Sequence, residues 1–269
     1  RYGYDSGKIE EAFPQYQVVN MGTYAYTSAR PQLEIIRAAM SEGDILIEAP
    51  EFDAAGQQFC ESTDLDRFFF ALVEEDYRLI EYLDLRNYTN VFDALGAYLY
   101  EHGKLEEKDY SCLPSQYDDD GNRIDYPTYN EYGDYTLKRP DSEKDEMHRI
   151  SPADYTTDTI TEERIASLNQ VLGTFTEKGV MVLFSYAPRN QSSLTERSTK
   201  EAMQELEQEL NECLGVPVIS SMEDYFYSGI YFYEIDNHLS DTGVALRTEQ
   251  IIKNIEDWIE KNEQQFLEK

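Results

Sequence analysis

Basic side chains are scarce in this chain: 23 Lys and Arg stand against 54 Asp and Glu, a formal net charge of -31. Such a field repels phosphate backbones, which excludes nucleic acid as a partner, and it equally disfavours docking on anionic lipid. Long apolar runs are missing as well. None approaches the roughly 18 residues of a membrane span, so no direct membrane insertion is expected of this segment. Arg1 to Lys8 is polar and aromatic, with neither a starting Met nor a leader, and reads as the opening of a mature or trimmed piece. Cysteine is limited to Cys60, Cys112 and Cys213, none in CxxC spacing, which argues against zinc-finger and thioredoxin-like chemistry. Cys60 and Cys112 could pair within the middle region, leaving at least one free thiol; three unpaired thiols fit as well. No Gly-rich loop follows a strand, so a nucleotide-binding fold fails and no cofactor is expected.

What is present suits an α/β domain. The 269 residues fit one large domain, or one domain with a sizeable insertion, and 41% apolar residues can build a proper core. The acidic charge is spread along the chain rather than gathered in a tail, which describes a solvated surface. Tyr is abundant, with 22 copies against a single Trp. Tyr-rich acidic surfaces suit carbohydrate contact, although a Tyr is as readily a packing residue with a wet hydroxyl.

Helices and strands alternate at the start. Lys8 to Phe13 reads as a short helix with Ser6 as its cap, and Tyr16 to Asn20 as a short apolar strand. Pro31 to Ser41 reads as a helix and Asp44 to Ala49 as a buried strand stopped by Pro50. Continuous apolar strands between helices indicate a parallel sheet covered on both faces. From about 53 to 158 the pattern changes. Asp64 to Tyr82 and Val91 to His102 look helical. Ser111 to Asp145 is dense in Tyr, Asp, Asn and Gly, with turn signals at Asp120-Gly121 and Tyr132-Gly133-Asp134 that suit hairpins or an ordered loop. This part reads as an insertion into a core formed by 1–52 and 159–269. Thr161 is expected to cap a helix that Gly179 ends. Val180 to Tyr186 is the clearest buried strand, Lys200 to Cys213 a helix, Val216 to Ser220 a strand. Ser240 or Asp241 caps a final helix to about Lys261. The expected architecture is a three-layer α/β/α sandwich with a parallel, flavodoxin-like sheet.

Ligands of open parallel sheets bind beyond the carboxyl ends of the strands. That rule selects the loops at Gly22-Thr23, Pro50-Glu51, Pro188-Arg189-Asn190 and Ser220-Ser221, with Glu234 to Ser240 ahead of the last helix. Of the three histidines, His102 ends a helix in the insertion and His148 lies in a charged stretch, which suits structural or solvated roles. His238 is different. It follows Asp236 by two residues in a loop at the ligand edge. A carboxylate that close can take the imidazole N–H, fix its tautomer and stabilise the imidazolium as His removes a proton from a nucleophile. Glu234 competes for that role. The run Asp118-Asp119-Asp120-Gly121-Asn122 fails as a calcium loop, because Gln116 and Pro127 occupy its end positions, and no metal site is expected. The aromatic run Tyr225 to Tyr233 suits packing beside an active loop or the wall of a sugar groove.

The stretch EIDNHLSDTGVALRT, Glu234 to Thr248, resembles the carboxy-terminal block of SGNH-type hydrolases and acyltransferases. It is closest to the cell-envelope branch of DltD-like D-alanine transfer and alginate-acetylation proteins. VVNMGTYAYTSA, Val18 to Ala29, resembles the second block of that family, and GDILIEAPEF, Gly43 to Phe52, the strand and loop that follow. The likeness covers both ends of the core and not the insertion. It implies an exported or cell-surface bacterial esterase or O-acyltransferase with a Ser-His-Asp mechanism, acting on acyl groups, acetyl above all, of envelope or extracellular carbohydrate. The same resemblance implies His238 as base and then acid, Asp236 as its orienter and Gly22 as an oxyanion donor through its backbone N–H. Asn190 can add a donor, while Thr23 and Glu51 line the same edge. The family's serine sits at the end of a strand ahead of the first helix, and no such motif precedes Lys8. The nucleophile is therefore expected upstream of Arg1. The competing expectation is a non-catalytic carbohydrate-binding or scaffold protein on the same fold, working through its Tyr-rich insertion.

Overall fold

The computed structural model describes residues 3–22, 29–51, 65, 69–70, 73, 76–105, 116–117, 123–124, 129–142, 151–233 and 235–262. It is a mixed α/β fold built on short parallel strands. Strand β1 (Ile45–Glu48) pairs with β4 (Met181–Phe184), Leu46 opposite Val182. The backbone at 216–219 runs along the far side of β4: Phe184 N–H donates to Pro217 O at 2.8 Å and Ile219 N–H to Phe184 O at 2.9 Å. The expected strand Val216 to Ser220 is reduced there to a single parallel bridge, Phe184 to Val218. Pro217 has no N–H to give a ladder.

Alternate strand residues point to opposite faces, and each face meets helices. Leu46, Val182, Phe184 and Val216 join a core with Leu33 and Ile36 of α2 (Ala29–Ala39), Leu172 and Phe175 of α4 (Glu162–Thr176), and Leu206 and Leu210 of α5 (Lys200–Cys213). Ile47 and Ile219 pack instead with Ile9 and Phe13 of α1 (Ser6–Ala12) and Ile251 and Ile255 of α6 (Asp241–Lys261). Helix α3 (Val91–Leu105) belongs to a separate cluster of Leu65, Phe69, Phe70, Leu83, Tyr88 and Ala94.

The helix ends follow their caps. Thr161 accepts from Arg164 N–H at the start of α4, and Ser240 from Gly243 N–H at the start of α6. Gly179 turns the chain from α4 into β4 at φ +82, so close to Glu42 that a Cβ there would lie 2.7 Å from Glu42 Cγ. Two expectations are corrected. Asp5, not Ser6, caps α1, accepting from Lys8 N–H at 3.2 Å. Ser6 turns inward, its N–H and hydroxyl both donating to buried Asp134, at 2.8 and 2.7 Å. Tyr16 to Asn20 forms no ladder: Val18 N–H donates to Glu10 Oε2 and Asn20 N–H to Tyr132 O, at 2.9 and 2.7 Å. Tyr16 and Val18 still pack against the α1–α6 cluster.

In the middle region the structure shows 3-10 turns at Tyr77–Tyr82 and Leu85–Asn87 where a longer helix is expected up to Tyr82. Strands β2 (Gln116–Tyr117) and β3 (Arg123–Ile124) pair antiparallel; the turn expected at Asp120-Gly121 lies outside the described residues, as do Cys60 and Cys112. Cys213 is a free, exposed thiol. Residues 129–142 form a strap that ties α1 to α6. Asp134 holds Ser6 and Asn20, and Asp141 accepts from the Ser240 and Thr242 hydroxyls, at 2.5 and 2.9 Å. No helix among the described residues is long and apolar enough to cross a membrane.

Candidate active site

The loop ahead of α6 is shaped by its own backbone. Phe232 and Leu239 form an antiparallel bridge, Tyr233 N–H donates to His238 O at 2.7 Å, and His238 N–H donates to Ile235 O at 3.3 Å. Phe232 and Leu239 are fully buried with Val244, which pins the loop to the first turn of α6. Gly243 makes that contact possible: a Cβ there would lie 2.5 Å from Tyr231 O.

The loop then meets two strand ends. Asn190, in strand β5 (Arg189–Asn190), which pairs in parallel with β6 (Phe226–Tyr227), donates its backbone N–H to Asp236 O at 3.0 Å. Asn237 Nδ2 donates to Glu51 Oε2 at 2.7 Å, tying in the loop after β1. Asp236, Asn190, Glu51 and His238, four of the residues singled out from sequence, thus belong to one connected edge. Gly22 is engaged elsewhere, its N–H donating to Asn20 Oδ1 at 3.1 Å. Thr23, Glu234 and His148 lie outside the described residues, and His102 sits in the last turn of α3.

Asp236 is buried, and its Oδ2 is the crowded oxygen. It accepts from Ser151 N–H at 2.7 Å and pairs with Arg189 Nη2 at 3.1 Å. Arg189 is itself buried and fixed twice more, by Nε to Ser193 Oγ at 2.9 Å and by Nη2 to Ser151 O. Asp236 Oδ1 takes no bond from the described residues. Asn190 is fully buried; its Oδ1 accepts from Ser192 N–H at 2.9 Å, while its Nδ2 donates to nothing among them.

His238 is half-buried. Burial pushes its pKa down to about 4; the positive charges of the amino terminus and then of Arg139 add to that, and the negative charge of Asp236 opposes it. The imidazole is therefore neutral at pH 7. Arg139 belongs to the strap and is held against the helix start: its N–H donates to Asp241 Oδ2 at 3.1 Å and its Nε lies 3.3 Å from Asp241 Oδ1.

The internal serines near the strand ends are committed to each other. Ser185 and Ser220 share a hydrogen bond of 2.7 Å, and Asn254 Nδ2 donates to Ser220 Oγ and Tyr225 Oη at 2.7 and 3.1 Å. Tyr4 and Asp5 lie along α6. Asp5 N–H donates to Thr248 Oγ1 at 2.9 Å, and Arg247 stacks on the Tyr4 ring at 4.0 Å. Two residues of this edge escape a reading of motifs. Arg189 is named only as part of a loop, because its partner is distant in sequence. Glu48, the last residue of β1, is half-buried, and burial pushes its carboxyl up to about 7. An acid closing an apolar strand was its only local signal. No group of three His, Cys, Asp or Glu among the described residues could hold a metal ion.

No family model, curated protein or solved structure matches this chain.

Proposed function

We propose that this protein is an acyl-ester hydrolase or O-acyltransferase of the SGNH type, acting on acyl groups of carbohydrate outside the cell or in its envelope. The observation that carries the reading is the convergence of Asp236, His238, Asn190 and Glu51 from three separate stretches onto the start of α6. The three-layer α/β/α arrangement belongs to the same reading. Its support is the alternation of Leu46 and Ile47 toward helices of opposite faces.

In the proposed reaction a serine hydroxyl attacks the ester carbonyl while His238 takes its proton. The neutral imidazole is the form a base requires, and the negative charge of Asp236 favours the imidazolium that forms. Asn190 Nδ2, without a partner among the described residues, offers a preorganised donor to the oxyanion, with the Gly22 N–H a second once Asn20 releases it. His238 then returns the proton to the leaving alcohol. Water or a sugar hydroxyl resolves the acyl-enzyme by the same path in reverse. In this reading the serine is supplied by chain ahead of Arg1. Gly3 lies against Arg247, whose Nη1 would be 2.2 Å from a Cβ at Gly3. From there the first turns of α6 span only about 10 Å back toward His238. An exported or cell-surface setting goes with this reading and suits the acidic surface.

The test is hydrolysis of p-nitrophenyl acetate by protein carrying its upstream segment. His238→Ala is expected to lower kcat about 1000-fold with an unchanged circular dichroism spectrum, within the range for loss of a general base. Turnover that is equal in the two proteins overturns the assignment.

A further inference from the structure

We propose that Arg247 is the centre of a binding site for one small monovalent anion, the carboxylate of an organic acid or a halide, with the Tyr4 and Tyr227 hydroxyls as its further donors. The proposal goes beyond the acyl-transfer reading and does not use it: none of its groups is His238, Asp236 or Asn190. Arg139, Arg189 and Arg247 are the buried arginines among the described residues. Two of them meet a carboxylate, Arg139 with Asp241 at 3.3 Å and Arg189 with Asp236 at 3.1 Å. Arg247 is as deeply buried, at 6% exposed, and pairs with no carboxylate among the described residues. Its Nη2 donates to Tyr4 Oη at 2.8 Å, while its Nε is buried with no hydrogen-bond partner. A guanidinium taken out of water needs both an opposite charge and acceptors for its N–H groups. The described residues give Arg247 no opposite charge and give its Nε no acceptor.

The surroundings select the ligand. The guanidinium carbon lies 4.0 Å from the Tyr4 ring centroid and 6.0 Å from that of Tyr225, aromatic faces that attract a cation but accept no bond from its edge. Gly3 lies against Nη1 and closes that end of the fork. Tyr227 brings a third phenol. It packs on the cluster of Phe232, Leu239 and Val244, and Val244 stands one turn before Arg247 on the same face of α6. The charge of Arg247 acts on the Tyr227 hydroxyl, which is itself buried with no partner. Tyr4 Oη accepts from Arg247, and its own proton reaches no acceptor among the described residues. Burial raises the pKa of both phenols, that of Tyr4 to about 12, so both keep their protons at neutral pH. The site is thus rich in donors and short of acceptors, which is what an anion satisfies. One cation balances one negative charge; a dianion would leave its second charge out of water without a partner. Glu48 is near enough for its charge to act on Tyr4, yet it makes no ion pair with Arg247, and burial keeps its carboxyl neutral below about pH 7.

The experiment is isothermal titration calorimetry of sodium acetate into the folded chain at about pH 6, where Glu48 is neutral, in a buffer free of acetate and chloride. Wild type is expected to show one saturable site. Arg247→Gln is expected to lose it, and Tyr227→Phe to weaken it about fivefold, the worth of one hydrogen bond to the ligand. Without added anion Tyr227→Phe should melt no lower than wild type, because the hydroxyl it removes has no partner; its deficit in melting temperature should emerge only as acetate is added. Chloride separates the two sources of the charge. Displacement of acetate by chloride assigns the site to small monovalent anions in general, and acetate binding that chloride leaves untouched assigns it to carboxylates. Sulfate at the same concentration should not displace acetate, and displacement by it overturns the single-charge assignment. The absence of a saturable site in wild type, or equal binding by folded Arg247→Gln, overturns the proposal. Should Arg247→Gln fail to fold, Tyr227→Phe decides: an acetate affinity equal to that of wild type overturns it.

Discussion

Two arginines, eight residues apart, fasten the same returning segment to the stretch after β4, and they do it in opposite surroundings. Arg189 meets Asp236 with side chains 3% and 5% exposed, and its guanidinium also binds the backbone of Ser151. Arg197 bridges Asp154 and Asp158 at 2.5 and 2.6 Å with its own side chain 55% exposed. The distances are as short in the wet cluster as in the dry pair. Distance therefore says little about what either contact does. In water the charges are screened and the side chains keep alternatives, so the pair adds little. In the interior each charge has lost its water, and every lone pair must be matched in place. The dry pair thus fixes one geometry, and it is the one beside His238.

The comparison breaks most sharply at Asp236. Asp236→Ala leaves the Arg189 guanidinium buried without its carboxylate, and the expected loss is about 3–5 kcal/mol of folding stability by urea denaturation. The double change Arg189→Met with Asp236→Leu, which removes both charges and keeps bulk, is expected to recover most of that loss. A deficit below about 1 kcal/mol for Asp236→Ala would place the pair with exposed ones, and the contrast between the two arginines would fail.

Glu48 sharpens the contrast from the other side, as a half-buried carboxyl with no cation. No hydrogen bond or ion pair from the described residues reaches it, and burial alone raises its pKa from 4.5 to about 7. The unfolded chain releases this proton first as pH rises. Stability from Glu48 is therefore whole below about pH 4.5 and is lost as pH climbs toward 7, on the order of 3 kcal/mol in all. Glu48→Gln should remove this dependence, leaving the variant more stable than wild type at pH 8 and little changed at pH 4. Urea midpoints at the two pH values measure it. Equal pH slopes in both proteins would mean that the carboxyl is hydrated as freely as those around Arg197.

The same contrast separates what sequence could and could not reveal. Helix α5 begins and ends where the pattern puts it, and α4 and α6 begin on Thr161 and Ser240, because caps and apolar periodicity are local signals. Strands β1 and β4 are visible as apolar runs for the same reason. Tyr16 to Asn20 has the apolar pattern of a strand and no ladder, since a ladder needs a partner that no pattern within the strand supplies. Asp5 and Ser6 are both good caps. The choice was made by Asp134, far along the chain, which claims the Ser6 hydroxyl. The Asp236-Asn237-His238 loop was legible because its elements lie within a few residues of each other and of a helix start. Arg189 was not, because its contacts exist only once Ser151, Ser193 and Asp236 have been brought together. Polar groups that organise a site from a distance leave no period in the sequence.

The smallest expected effect lies at Arg197. Its bridges join Asp154 and Asp158 to the loop before α5, but the backbone there is already joined: Ala153 N–H donates to Ser193 O at 2.9 Å and Tyr155 N–H to Ser198 Oγ at 2.9 Å. With the chain positioned by those bonds, the exposed guanidinium has little left to determine. Arg197→Ala should cost about 0.2–1 kcal/mol, and the difference from wild type should shrink as salt is added, because exposed pairs are screened beyond the Debye length of roughly 10 Å at 0.1 M. A cost above about 2 kcal/mol that salt leaves untouched would show that the wet cluster is held as rigidly as the dry pair. Exposure would then no longer explain why only one of these arginines governs the loop before α6.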